Sequence, residues 1–232
     1  MAARRGQASG EGKQAETSRM GGRAYGRILE MLFDRKIPAG AFVSQSHLVK
    51  LSSMPIAALR DALKLLEAEG IVVIHPRSGV QFVKPGFELT RSTFQYRIIL
   101  ERAAAAAYAQ IADATEVEEI VRRHLLTIAN VERDGLTDSI KDEVEVLEEL
   151  LHSTIIQSLA NPLIESGYRR LHNYVRLIRL DRKIAAPLVL ISLREHLEVL
   201  TACKAHDANA AASSMQAHLT AALQRSLGLY GF

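Results

Sequence analysis

The spacing of apolar residues changes character at Gly70, and this change limits the folds that the chain can adopt. From about residue 24 to Gly70, apolar residues recur every three or four positions, as in amphipathic helices. Residues 71–84 instead hold two short runs rich in β-branched residues around a Pro-Arg-Ser-Gly turn, the pattern of a β-hairpin. Beyond residue 90 the helical spacing returns, without a convincing strand. The sequence therefore predicts a mainly α fold with one small hairpin.

Three short helices precede the hairpin. The first covers residues 24–33 and ends at the turn of residues 37–40. The second follows Ser44, a plausible N-cap, and the third begins at Pro55 and ends before Gly70. Three helices followed by a hairpin predict a winged helix-turn-helix, in which the third helix fits the DNA major groove and the wing approaches the neighbouring backbone or minor groove.

The rest of the chain predicts a six-helix antiparallel bundle. Asp113, Gly135, Pro162, Pro187 and Asp207 mark the boundaries between helices. The predicted helices cover residues 90–112, 116–134, 138–160, 162–183, 187–205 and 207–228.

A length of 232 residues suits two domains of modest size. Residues 1–20 are polar and lack apolar periodicity, so we expect a disordered arm there. We expect the DNA-binding domain over 21–85 and a helical ligand-binding domain over 86–232. Residues 1–85 hold 13 Lys and Arg against 7 Asp and Glu, and the remainder hold 16 against 19. The resulting charges of +6 and −3 are compatible with an N-terminal unit that faces phosphate. Part of the positive charge lies in residues 1–20, so charge alone leaves this open.

The composition also argues against several classes of protein. The chain has no apolar run long enough for a membrane span and no signal-peptide pattern, so we expect a cytoplasmic protein without a membrane partner. The single cysteine, Cys203, cannot form an internal disulfide. The sequence lacks a zinc-protease motif, a phosphate-binding loop and a nucleophile elbow, so we do not expect an enzyme.

Four segments of the N-terminal part carry a family resemblance. They are 37–40, 59–63, 66–72 and 76–79, the last followed by Val83. Together they resemble the GntR-type bacterial regulators, which implies that Arg60 contacts DNA. Pro55 and Ile56 stand where relatives usually have Ser-Arg, so one customary arginine contact is missing. The expected DNA-binding residues are Arg60 and Arg77, with Gly79 in the wing and Ser46, His47 and Ser53 as further candidates for phosphate or base contacts.

A second constellation lies in the helical part. Glu148 and His152 are four positions apart and share one helix face, whereas His196 and His218 fall in apolar stretches of two later helices. Three imidazoles and a carboxylate match the ligand preferences of Zn²⁺, with Ni²⁺ and Mn²⁺ as alternatives. Spacing alone does not select these three from the eight histidines. We expect His124, His172 and His206 to lie at the surface, because each has charged neighbours.

The C-terminal part resembles the FCD ligand-binding domain of the FadR-type branch of the same family. The resemblance rests on Glu148 to His152, on Asn161, on the Glu195-His196 pair, on Met215 to Leu219, and on Arg97 with Glu101. It implies that Glu148, His152, His196 and His218 bind a divalent metal. Glu148 replaces the family's Asp and Leu151 its Phe, which makes the metal preference less certain. Glu149 is a second candidate carboxylate.

The resemblance also implies partners. A small carboxylate effector would bind beside the metal and pair with Arg97, whose alternative is a surface ion pair with Glu101. The expected protein is a homodimeric regulator, in the manner of a repressor, that binds double-stranded operator DNA and is nucleoid-associated when bound. Two alternatives stay open at this point: a metal-free regulator of an acyl-CoA or another bulky ligand, and a metal-dependent enzyme.

Overall fold

The computed structural model describes the backbone of residues 5–180 and 185–229, and side chains within these ranges from residue 19 onward. Its residues form two compact units, which divide between Pro85 and Gly86. The described ranges contain nine helices and one small sheet, which confirms the predicted fold class.

The first unit is a winged helix-turn-helix. It contains α1 (Arg5–Phe33), β1 (Phe42–Val43), α2 (Gln45–Ser52), α3 (Ile56–Ala68), β2 (Val72–His75) and β3 (Gly79–Phe82). The core residues share helical spacing on α1 to α3, and burial of such stripes drives the three helices together. They are Ile28, Leu32, Leu48, Leu59, Leu63 and Leu66, all without exposed surface.

Two details of this unit differ from the sequence prediction. The sheet has three antiparallel strands in the order β1-β3-β2, and the two residues of β1 were too few to leave a periodic signal. In addition, α1 extends back to Arg5, which corrects the expected disordered arm over residues 5–20. No proline interrupts this stretch, and adding residues to an existing helix is easier than nucleating one. Residues 1–4 lie outside the described residues.

The second unit is the helical bundle. It contains α4 (Phe87–Ile111), α5 (Ala114–Asp134), α6 (Asp138–Gln157), α7 (Pro162–Leu180), α8 (Ala186–Lys204) and α9 (Ala208–Leu227). These bounds follow the six predicted helices closely, although the predicted end of the fourth at residue 183 lies outside the described residues. In the core, α4 packs along α9, α8 lies beside α9, and α6 contacts both α4 and α5.

Side-chain caps explain several of the helix boundaries. The carboxylate of Asp113 accepts hydrogen bonds from the backbone N–H groups of Thr115 and Glu116, and Asp207 caps α9 through the N–H of Ala210. The side-chain oxygen of Asn161 accepts from two N–H groups in the first turn of α7. Asn161 thus caps a helix. No helix within the described ranges is long and apolar enough to cross a membrane.

Candidate metal centre

Three histidines meet in the core of the bundle, one each from α6, α8 and α9. His152, His196 and His218 each offer a ring nitrogen within 4.8 Å of the others. The ring centroids of His196 and His218 lie 4.6 Å apart, and both are 5.4 Å from that of His152. All three side chains are almost completely buried. The sequence-predicted histidines are therefore brought together in one cluster.

Local sequence explains why polar rings lie in the core. Leu193 and Leu200 flank His196 at helical spacing, and both are fully buried, so the apolar stripe of α8 carries the imidazole inward. On α9, Met215 and Ala222 lie at the corresponding positions around His218 and are also buried. Burial of the stripes offsets the cost of desolvating the rings.

Each ring contacts a polar group through Nδ1. Nδ1 of His218 is hydrogen-bonded to Oε2 of Glu195 at 2.8 Å. Nδ1 of His152 lies 2.5 Å from Oε2 of Glu101, but the angles of this contact do not fit a hydrogen bond. Nδ1 of His196 is hydrogen-bonded to Nε2 of His124 at 3.1 Å. In His196 and His218, whose Nδ1 is hydrogen-bonded, Nε2 is the nitrogen left to act as a metal ligand.

The inward nitrogens lack partners. Nε2 of His196 and Nε2 of His152 are buried and have no hydrogen-bond partner within the described part of the chain. Burial lowers the pKa of both histidines, which favours neutral rings whose lone pairs can bind a cation. Unsatisfied buried nitrogens are unusual, and a bound ion would satisfy them. The residues present therefore fit a metal ion.

Glu148 lies at the edge of the cluster. Its Oε1 is 3.6 Å from Nε2 of His196 and accepts a hydrogen bond of 2.8 Å from the hydroxyl of Ser192. Its Oε2 pairs with Arg179. Burial raises the pKa of Glu148, but the charges of Arg179 and His196 outweigh this and hold the pKa well below its usual range. Glu148 is therefore an ionised neighbour of the three histidines, whereas Glu149 is exposed.

Arg97 is buried rather than at the surface. Its Nε donates to Oε1 of Glu101 at 2.6 Å, and both side chains are almost completely inaccessible. The sequence left open a surface ion pair between Arg97 and Glu101. The pair is buried instead, because Arg97 lies on the face of α4 that packs into the bundle. Burial alone would raise the pKa of Glu101, but the charges of Arg97 and His152 lower it to about 2.

A cleft adjoins the histidines. It encloses about 20 Å³, and His152, Tyr168 and His172 form part of its lining. Its charged lining residues are three arginines and three glutamates, namely Arg97, Arg176, Arg179, Glu145, Glu148 and Glu149. Burial, followed by the charges of Arg176 and Arg179, lowers the pKa of His172 to about 4. The cleft therefore places equal numbers of arginines and glutamates next to the histidine cluster.

Sequence reasoning misplaced His124. We expected a surface residue because Arg123 precedes it, but the ring is fully buried. His124 lies four residues after Ile120 and four before Ile128, which places it on the apolar face of α5. That spacing was a usable signal. Of the other two histidines expected at the surface, His206 is exposed and His172 is half-buried.

The predicted DNA-binding residues lie in the first unit. Arg60 is exposed on α3, and its Nε donates to Oε1 of Gln45 at 3.4 Å. Arg77 is exposed at the wing tip, between β2 and β3, with a φ of 63°. Gly79 follows the tip and is buried.

The remaining candidates flank α2. Ser46 and His47 are exposed in its first turn, where the backbone N–H of His47 donates to the hydroxyl of Ser44. Ser53 ends α2 with a left-handed φ of 56°. The structure thus places the candidate residues on α3, at the wing and at both ends of α2.

The winged unit and the histidine-bearing bundle together define a protein with a regulator-like architecture. The FCD domain family model matches residues 92–221, which is more than half of the chain. The chain belongs to the FCD-domain family.

Individual relatives agree with this assignment. The chain is 21% identical to the HTH-type transcriptional regulator YdhC of Bacillus subtilis strain 168, over 84% of this chain and 85% of that protein. A GntR structure from Rhodococcus sp. RHA1, described as a candidate transcriptional regulator, is similar with a TM-score of 0.72 at 20% identity, covering 92% of this chain and 100% of that one. The metal-free FCD domain of TM0439 gives a TM-score of 0.51 at 24% identity, covering 62% and 96%. These relatives confirm the expectation that the chain is not an enzyme.

Proposed function

We propose that this protein is a GntR-type transcriptional regulator of the FadR-type branch, in which a divalent metal and a small carboxylate effector control binding to operator DNA. The observation that carries this proposal is the cluster of three buried histidines, two of which have unpartnered ring nitrogens, on a chain that also contains a winged helix-turn-helix.

The metal ligands are His152, His196 and His218, with Glu148 as the fourth. Adjacent ligand atoms in a tetrahedral zinc site lie about 3.3 Å apart, since zinc binds nitrogen at about 2.0–2.1 Å. The 3.6 Å between Oε1 of Glu148 and Nε2 of His196 is compatible with a shared ion. A set of three nitrogens and one oxygen suits Zn²⁺ best, with Ni²⁺ and Mn²⁺ as alternatives.

The effector is a small carboxylate that occupies the cleft. A bound metal supplies Lewis acidity there, and Arg97 and Arg179 in the lining offer N–H donors to a carboxylate. Arg97 serves the effector while remaining paired with Glu101, since a guanidinium has five N–H donors. The enclosed space of the cleft, about 20 Å³, is too small for an acyl-CoA.

The first unit binds double-stranded operator DNA. Arg60 on α3 contacts base edges or phosphates in the major groove, and Arg77 contacts the backbone or minor groove at the wing. Ser46, His47 and Ser53 contribute phosphate contacts, and Gly79 allows the wing to fold. A homodimer presents two such units to a twofold operator, on the bacterial nucleoid in the cytoplasm, and the effector changes their spacing.

Metal content tests the central part of this proposal. Protein purified without chelator and analysed by mass spectrometry for metals is expected to hold about one Zn, Ni or Mn per chain. His196→Ala is expected to lose this metal, because it removes a ligand from the middle of the cluster. His47→Ala, which changes an exposed histidine of the other unit, serves as the matched control and should retain it. Equal metal content in His196→Ala and wild type would contradict the ligand assignment.

A further inference from the structure

His124 holds a position in the bundle that metal ligation alone does not explain. The ring lies on α5, is fully buried, and uses both of its nitrogens. Nδ1 lies 2.8 Å from the backbone carbonyl oxygen of Ile120, and Nε2 lies 3.1 Å from Nδ1 of His196. The ring therefore bridges a fixed backbone group and one of the proposed metal ligands.

The chemistry of these partners fixes where the protons lie. A carbonyl oxygen only accepts hydrogen bonds, so Nδ1 of His124 must carry the hydrogen. In a neutral ring Nε2 then has a lone pair and accepts, which requires the hydrogen of the next bond to lie on Nδ1 of His196. Nε2 of His196 is consequently left with its lone pair. The two hydrogen bonds thus run in one direction, from His196 through His124 to Ile120.

The other two proposed ligands differ from His196 in the group that faces Nδ1. Nδ1 of His152 faces the carboxylate of Glu101, and Nδ1 of His218 faces that of Glu195. A third carboxylate behind His196 would lie close to Glu148, whose Oε1 is 3.6 Å from the same ring. A neutral histidine provides the acceptor without adding another negative charge to this crowded region.

We propose that His124 is a positioning residue, which holds His196 in the Nδ1–H tautomer and thereby aims the lone pair of its Nε2 at the metal. The proposal rests on the proposed function for its metal, but not for the tautomer, which is a property of the metal-free chain. His124 itself does not touch the metal in this account.

The direct test is nuclear magnetic resonance of histidine side chains in the metal-free full-length protein, with ¹⁵N-labelled imidazoles. The expected result is that both His124 and His196 carry their hydrogen on Nδ1, the less common form of a neutral imidazole in water. A hydrogen on Nε2 of His196 in wild-type protein would overturn the proposal. This measurement requires no variant to fold.

Metal affinity provides the second test, with Zn²⁺ in competition against a coloured chelator. His124→Leu removes the acceptor and is expected to weaken Zn²⁺ binding by about 10–100-fold, the usual effect of losing a partner behind a ligand. In His124→Gln the amide oxygen can take the place of Nε2, so this variant is expected to restore much of the affinity. His206→Leu, which changes an exposed histidine of the same unit outside the cleft and the ligand set, is the matched control and should bind Zn²⁺ like wild type.

The outcomes separate this proposal from the function. If wild type binds Zn²⁺ and His124→Leu binds it equally well, His124 is not a positioning residue although the metal site stands. If wild type shows the expected tautomers but binds no Zn²⁺, Ni²⁺ or Mn²⁺, the metal function fails while the proton arrangement at His196 stands. The absorption spectrum of Co²⁺-substituted protein adds a readout of ligand geometry, and a shift is expected in His124→Leu but not in His206→Leu.

Discussion

Buried polar side chains surround the three histidines in linked pairs. Arg97 neutralises Glu101 behind His152, and Arg225 pairs with Glu195 behind His218. Removing one member of a buried ion pair typically costs about 3–5 kcal/mol, because the other charge stays behind without compensation. These pairs therefore hold the rings in place, and substitution of any one of their members is expected to destabilise the bundle.

The site itself was only partly predictable at this scale. Apolar spacing places several histidines on buried faces, but it does not say which rings converge, because convergence depends on how separate helices pack. The family resemblance selected His152, His196 and His218, whereas His124 has no counterpart in the motifs that carried it. The roles of Arg179 and Ser192 at Glu148 depend on contacts between α6, α7 and α8, which no local pattern contains.

The lowered pKa of His172 predicts how the free energy of unfolding depends on pH. Its pKa falls from 6.5 to about 4 in the folded protein, because of burial and the charges of Arg176 and Arg179. Between pH 4 and 6.5 the unfolded chain therefore binds more protons at this residue than the folded protein does. The contribution of neutral His172 to the free energy of unfolding is complete above pH 6.5 and is lost as the pH falls towards 4. In urea unfolding of metal-free protein, His172→Gln should lose less stability between pH 6.5 and 4.5 than wild type. Parallel pH profiles for the two proteins would contradict this expectation.

At the scale of elements, the helices were more predictable than the strands. Capping residues such as Asp113 and Asp207 stand at the ends of long periodic segments, so the sequence locates these helices closely. The strand β1 has two residues and depends on pairing with β3, a contact between positions far apart in sequence. The extension of α1 to Arg5 was missed because polar composition outweighed the absence of a helix breaker.

The recognition helix α3 carries the prediction on DNA binding. Arg60 is exposed there, and Arg60→Ala should weaken binding by about 1–3 kcal/mol, since a lost base or phosphate contact has this size. Gel-shift titration can use a DNA fragment selected from a random pool by wild-type protein. Arg122→Ala, which changes an exposed arginine of the bundle, is the control and should bind like wild type. Unchanged affinity in Arg60→Ala would remove this residue from the DNA-binding surface.

The wing predicts a steric effect at Gly79. A Cβ added there would lie 2.8 Å from the carbonyl oxygen of Val43 and 2.9 Å from the ring of Phe42. Gly79→Ala should therefore displace β1 from β3 and destabilise the unit by about 1–3 kcal/mol. Gly26→Ala is the control of opposite sign, because a Cβ there meets nothing within 4 Å and alanine favours the helix by about 0.5–1 kcal/mol. Thermal unfolding of both variants measures these changes in stability. Equal stability of the two variants would contradict the steric effect expected at Gly79.

At the scale of the molecule, the chain separates two kinds of chemistry into two units. The first carries exposed arginines on a winged helix-turn-helix, and the second carries the buried histidines and a cleft lined by arginines and glutamates. In the proposed function the second unit senses a small acid and the first binds DNA. Coupling between them requires that the effector interact differently with two arrangements of the dimer.

The claim on which the whole account depends is that the bundle binds one metal ion through its three histidines. Crystals of protein purified without chelator and supplied with Zn²⁺ can be measured above and below the zinc absorption edge. The account predicts one strong anomalous peak per chain, within bonding distance of Nε2 of His152, His196 and His218 and beside Oε1 of Glu148. Absence of a peak at the histidines, or a peak elsewhere in the bundle, would contradict it.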